Sequence, residues 1–140
     1  MTSSPDTPPW LALDNIDIAY GARTVVEQLS LTLARGSIGC LLGPSGCGKT
    51  TVLRAIAGFE GVQAGEIRLD GECVSRPGYQ LPPERRRIGM VFQDHALFPH
   101  LTVADNVGFG LRGAAEATAR IRQMLDTVGL AHAAHRYPHE

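Results

Sequence analysis

Apolar positions along the chain set out a series of short elements before any chemistry is considered. From Leu11 to Tyr20 they fall at Leu11, Leu13, Ile16 and Ile18, and from Thr24 to Leu33 at Val26, Leu29, Leu31 and Leu33. This partial alternation predicts two strands joined around Gly21, an antiparallel piece. Arg35-Gly36 turns into Ile38-Gly39-Cys40-Leu41-Leu42, a short apolar run that reads as a buried strand. Val52, Leu53, Ile56 and Ala57 then recur at helical spacing, and Gly58 is placed to end that helix. Gly65 to Gly71 alternates and closes on Asp70-Gly71, a hairpin signal. Residues 75–87 hold Pro77, Gly78, Pro82 and Pro83 and are expected to be loop. Ile88 to Phe92 reads as a second short apolar strand. Thr102, with Asp105 three residues on, predicts the cap of a short helix running to about Leu111. From Ala114 a further helical face runs through Ala117, Ile121, Met124, Leu125 and Val128 to Gly129. Leu130 to Tyr137 is a last short segment, and residues 1–9, polar and proline-rich, read as a disordered lead-in.

Composition narrows the classes. The chain has 140 residues, enough for one domain with a core, and is 44% hydrophobic and 19% charged, as a globular protein is. Its net charge of −1 provides no basic field for nucleic acid. The one basic run, Arg85-Arg86-Arg87, reads as a solvated turn before a strand. Cys40, Cys47 and Cys73 lack metal-ligand spacing, and their odd number favours a reducing compartment. Cys40 reads as a small core residue within its apolar run. The five histidines, His95, His100, His132, His135 and His139, form no metal set and read as surface residues. No apolar run approaches the ~20 residues that span a bilayer, so any membrane role is expected to come through a partner.

The chemistry concentrates in Gly43-Pro44-Ser45-Gly46-Cys47-Gly48-Lys49-Thr50, which fits G-x-x-x-x-G-K-[ST]. It follows one expected strand and opens one expected helix. Glycines let backbone N–H groups turn inward around phosphate oxygens, and the helix points its positive end at the same anion. Lys49, the only lysine in the chain, supplies a mobile positive charge for β- and γ-phosphates. The Thr50 hydroxyl is a Mg²⁺ ligand in such loops, and Thr51 is placed to bond a further phosphate.

Three more stretches narrow the family. Tyr20 ends the first strand upstream of the loop. Ile88-Gly89-Met90-Val91-Phe92-Gln93 ends in glutamine downstream of it. Ala96-Leu97-Phe98-Pro99-His100-Leu101-Thr102-Val103-Ala104-Asp105-Asn106-Val107 follows. In order and spacing the set resembles the nucleotide-binding subunit of ATP-binding cassette (ABC) transporters, from about Leu11 to Glu140. The resemblance implies an α/β P-loop NTPase fold: an ABC-type ATPase core with an N-terminal antiparallel β-subdomain and the start of a helical subdomain, truncated. It implies a partial core over 10–93 and the Q-loop with the beginning of the helical subdomain over 94–140.

The same resemblance implies roles. Tyr20 would stack on adenine and Val25 pack near the same base. Gly43, Pro44, Ser45, Gly46, Cys47, Gly48, Lys49, Thr50 and Thr51 would hold the phosphates of ATP. Gln93 would join Thr50 at Mg²⁺ and meet the attacking water. A second ATPase subunit and membrane-spanning permease subunits, the latter met through residues near 94–107, are the implied partners. The implied location is cytoplasmic, peripheral on the inner face of the cell membrane. Ala57-Gly58-Phe59-Glu60 and Leu97 to Val103 look most like importers of ferric iron, polyamines or sulfate, with ferric iron the first expectation.

One departure bears on activity. The chain ends at Tyr137-Pro138-His139-Glu140, where the family's signature motif LSGGQ would begin. The Walker B aspartate, the catalytic glutamate and the switch histidine have no counterpart, so no catalytic set is complete. The expectation is a portion of an importer ATPase, marginally stable or aggregation-prone in isolation. A short nucleotide- or partner-binding half-cassette without hydrolysis and a non-transport ABC ATPase stand as the alternatives.

Overall fold

The computed structural model describes residues 8–94, 96–111, 113 and 116–140. Most of the expected lead-in, His95 and the expected helix start at Ala114 lie outside the described residues. The chain divides into two units, Met1–Met90 and Val91–Glu140.

The first unit is built on a five-stranded antiparallel sheet. Its strands are β1 (Leu11–Tyr20), β2 (Arg23–Leu33), β3 (Ala64–Leu69), β4 (Glu72–Arg76) and β5 (Tyr79–Gln80), in the order β2-β1-β3-β4-β5. Helix α1 (Lys49–Ala57) lies between β2 and β3 in sequence and puts Val52 and Ala55 into the core. There they join Leu11, Leu13, Ile16, Ile18, Val26, Ile67 and Leu69. Burial of one such aliphatic side chain contributes about 1.5–3 kcal/mol, so this one-sided sheet and one helix face supply most of the unit's cohesion.

The uneven alternation in the first two strands has a structural cause. The buried set passes from Leu11 and Leu13 to Ile16 and Ile18, one residue out of phase. β-Bulges restore the face: the β1–β2 register shifts between Leu13 and Ile16, and Asn15 takes φ 46°. In β2 the same slip between Val26 and Leu29 coincides with Gln28, also at φ 46°. Each bulge amide finds a side-chain acceptor on the other strand. Asn15 N donates to Ser30 Oγ at 2.8 Å, and Gln28 N donates to Asp17 Oδ1 at 2.7 Å.

Several expectations are corrected. Residues 38–42 and 88–92 form no strand. Ile38, Leu42 and Val91 are 98%, 88% and 97% exposed, and Cys40 is exposed rather than in the core. A strand exists through its ladder, and every ladder among the described residues is antiparallel and made by other segments. The stretch 75–87 is not all loop: it holds the end of β4, β5 and a 3₁₀ turn at Pro83–Arg85. Arg86, expected in solvent, is 5% exposed. The Asp70-Gly71 hairpin forms as expected, joining β3 to β4.

The second unit is helical. α2 (Val103–Val107) begins at Thr102, whose Oγ1 accepts from Asp105 N at 3.1 Å, as the cap pattern predicts. The helix stops earlier than Leu111, giving way at Gly108 to a 3₁₀ turn at Phe109–Leu111. A Cβ at Gly108 would stand 2.4 Å from Ile121 Cδ1, so glycine there lets α3 (Ala117–Thr127) approach. No helix among the described residues is long and apolar enough to cross a membrane.

Candidate functional site

The glycine-rich stretch forms a turn between the extended segment after β2 and the first turn of α1. Gly46 and Gly48 adopt φ 81° and 94°, a left-handed conformation that suits glycine. Gly48 is the N-cap of α1 and is buried against β2. A Cβ at Gly48 would stand 3.0 Å from Val26 Cγ2 and 3.1 Å from the Val25 carbonyl oxygen. At Gly43 a Cβ would lie 2.7 Å from Cys47 Sγ. The close turn therefore depends on the missing side chains and not only on backbone freedom.

Helix N-termini ordinarily satisfy their first amides with a Ser, Thr, Asp or Asn side chain. In α1 no side chain caps them, and the first turn holds no acidic residue. The macrodipole places roughly half a positive charge at this end. Lys49 adds a full one: its Nζ donates to the carbonyl oxygens of Gly43 at 2.8 Å and Pro44 at 2.7 Å, and lies 3.6 Å from Cys47 Sγ. The ammonium is thus held over the loop. Two features that suit an anion with several oxygens are thus present, an uncapped helix end and a tethered cation. Thr50 is exposed and Thr51 half-buried in the same first turn.

Val25, Cys47, Gly48, Lys49 and Val52 share a cavity of about 270 Å³ with Leu41. The structure thus brings Val25 to the loop. Tyr20 is half-exposed at the end of β1, paired with Arg23 across the turn. Ser45 and Pro44 are exposed on the loop. Gln93 is exposed and belongs to the second unit.

That unit has its own ordered surface. Asn106 Oδ1 accepts from Phe98 N at 2.8 Å, while its Nδ2 donates to the carbonyl oxygens of Phe98, Leu101 and Thr102 at 3.1, 3.1 and 2.9 Å. One side chain fixes the turn at residues 98–102. Phe98 stacks on Phe109 with ring centroids 4.3 Å apart, and Leu97 and Phe98 are exposed.

Sequence reasoning missed Arg86. A run of three arginines carries no periodicity that marks one of them as buried. The Pro82-Pro83 pair, which favours a tight turn just before it, was the only usable cue.

Comparison with known proteins places the chain in a family. The family model described as ABC transporter matches residues 26–140. The chain is 47% identical over 134 residues to a spermidine/putrescine import ATP-binding protein of Nitrosomonas eutropha, covering 93% of this chain and 36% of that protein. It is 47% identical over 126 residues to an Fe(3+) ions import ATP-binding protein of Haemophilus influenzae, covering 87% and 37%. It is 49% identical over 122 residues to a sulfate/thiosulfate import ATP-binding protein of Chromobacterium violaceum, covering 85% and 32%. The chain therefore spans about a third of the length of these relatives. With the family model matched over most of its residues, on the stretch that includes the glycine loop and α1, this chain belongs to the ABC transporter family.

Proposed function

We propose that the chain carries the ATP-binding portion of an import ATPase, with the nucleotide held at the Gly43–Thr51 loop. The observation that carries this reading is the uncapped N-terminus of α1 beneath a lysine ammonium tethered 2.7–2.8 Å from two loop carbonyls. Loop amides and the helix end take the phosphate oxygens, and Lys49 swings from the carbonyls to the outer phosphates. Gly43, Pro44, Ser45, Gly46, Cys47 and Gly48 give the loop its curvature. Val25 lines the approach, and Tyr20 provides a flat face on which adenine stacks without base-specific hydrogen bonds. Thr50 and Gln93 are the proposed holders of Mg²⁺, which would neutralise phosphate charge. The residues of this chain bind and orient; none is assigned as general base.

On this reading residues 1–9 precede the site, 10–93 form the nucleotide-binding core, and 94–140 form the Q-loop and the beginning of a helical subdomain. The exposed Leu97 and Phe98, on the turn braced by Asn106, are the proposed contact with a membrane-spanning permease on the cytoplasmic face. A second ATPase subunit would complete the assembly. The cargo is a small solute. Relatives of nearly equal identity bear names for polyamines, ferric iron and sulfate, so ferric iron, one of them, is not favoured over the rest.

Lys49→Ala is the test. Removing a charge-assisted contact to phosphate costs about 3 kcal/mol, a loss of roughly a hundredfold in affinity. Calorimetric titration with MgATP is expected to show that loss while circular dichroism stays unchanged. Equal affinity in the variant and the parent would refute the site.

A further inference from the structure

Arg86 is the most buried charged residue among the described residues of the first unit, and its guanidinium lies at the end of α1 opposite the glycine loop. Nη1 donates to the carbonyl oxygens of Ala55 at 2.9 Å and Ile56 at 3.0 Å, in the last turn of α1. Nη2 donates to Val74 O on β4 at 2.9 Å, and Nε donates to Leu81 O at 2.7 Å. The end of α1, β4 and the segment at Leu81 thus meet on one rigid fork, a geometry that a lysine ammonium lacks. Burial pulls the Arg86 pKa below the ordinary arginine value, with Tyr79 and Cys73 opposing. The partial negative charge at the helix C-terminus and the four bonded carbonyls offset that desolvation.

The surroundings are shaped for this fork. Gly58, the left-handed C-cap of α1, would bring a Cβ within 2.6 Å of Arg86 Nε. Gln80 Nε2 donates to Gly58 O at 2.6 Å, holding the same helix end from β5. At the other end Gly48 is seated on Val25 and Val26. α1 is short, about 13 Å at 1.5 Å per residue, and its first turn has no side-chain cap. At its first turn the Lys49 ammonium bonds back to the loop's own carbonyls, and the seat on β2 is the Gly48 contact, so a rod of that length takes its direction from the end that is hydrogen-bonded to β4 and Leu81.

We infer that Arg86 is a positioning residue for the phosphate loop: it pins the far end of α1 so that the Gly48–Thr50 turn keeps its seat on β2. The functional meaning of this inference rests on the proposed nucleotide site, but the mechanical claim does not. Because the fork acts through the helix, its loss should reach the loop as well as the C-cap.

Amide hydrogen exchange on the chain without nucleotide tests this, comparing the parent with Arg86→Met well below its unfolding temperature. The Val52 amide, bonded to Gly48 O at 2.9 Å, is expected to exchange about tenfold faster, while β1 and β3 amides stay within twofold. Acceleration confined to the Gly58 and Phe59 amides at the C-cap would make Arg86 a local structural residue and overturn the inference. A uniform rise that includes the sheet would do the same. If Arg86→Met does not fold, Arg86→Lys, which keeps the charge and loses the fork, is read by the same criteria. MgATP titration of the parent separates the two readings: absent binding there removes the nucleotide site, while the exchange pattern still decides the role of Arg86.

Discussion

At the scale of single residues, the site is governed by what glycine leaves out. Gly46 and Gly48 share a left-handed backbone, but only Gly48 faces a neighbour. A Cβ at Gly46 meets nothing within 4 Å, whereas one at Gly48 meets the Val25 carbonyl oxygen at 3.1 Å. Backbone strain alone costs about 1 kcal/mol at either position, and the clash with a main-chain atom adds to it only at Gly48. Gly46→Ala is therefore expected to cost about 1 kcal/mol and Gly48→Ala about 2–3 kcal/mol. Thermal unfolding of the two variants side by side measures the difference, and equal losses would contradict the close seating of the loop on β2. The loop motif was legible in the sequence because its chemistry needs fixed residue types at fixed spacing. Its seat on Val25 and Val26 was not, because sequence spacing does not report which strand a loop lies against. Arg86 was illegible for a related reason: its burial follows from four carbonyls that three separate segments supply.

At the scale of elements, the hydrophobic pattern read correctly for the first two strands, for β3 and for α1, but it took the end of β4 and the whole of β5 for loop. The β1–β2 and β3–β4 hairpins and α1 each match the expected positions. The two phase slips were visible in the sequence as Leu13 to Ile16 and Val26 to Leu29, and the bulges at Asn15 and Gln28 explain them. The bulge in β1 also disturbs the ladder with β3, where register shifts between Asp14 and Asp17. Gly65 lies opposite at φ 71°, and a Cβ there would fall within 2.2 Å of Asp14 O and 2.4 Å of Asn15 O. Main-chain atoms on a bulged central strand cannot give way cheaply. Gly65→Ala is expected to cost at least about 3 kcal/mol, which for a unit of this size lowers Tm by more than ~10 °C. A fall of less than ~3 °C in calorimetry would show that the bulge adapts.

At the scale of the whole molecule, the apolar runs at 38–42 and 88–92 mark where sequence reading and structure part. Both have the composition of strands buried on two faces, yet neither has a ladder partner among the described residues. A parallel-sheet strand is specified by its neighbours as much as by its own residues, so composition alone could not place it. The chain spans about a third of the relatives it matches, at 47–49% identity. What the matched stretch does contain is a complete glycine loop, its helix and the arginine that pins that helix from behind. Whether this loop receives MgATP is the decisive property. Amide chemical shifts of the ¹⁵N-labelled chain, followed as MgATP is added, test that most directly. The predicted result is saturable movement of the Gly46, Gly48, Lys49, Thr50 and Thr51 amides together with Val25, absent from Lys49→Ala. Shifts clustered elsewhere, or no shift at millimolar nucleotide in a folded sample, would contradict it.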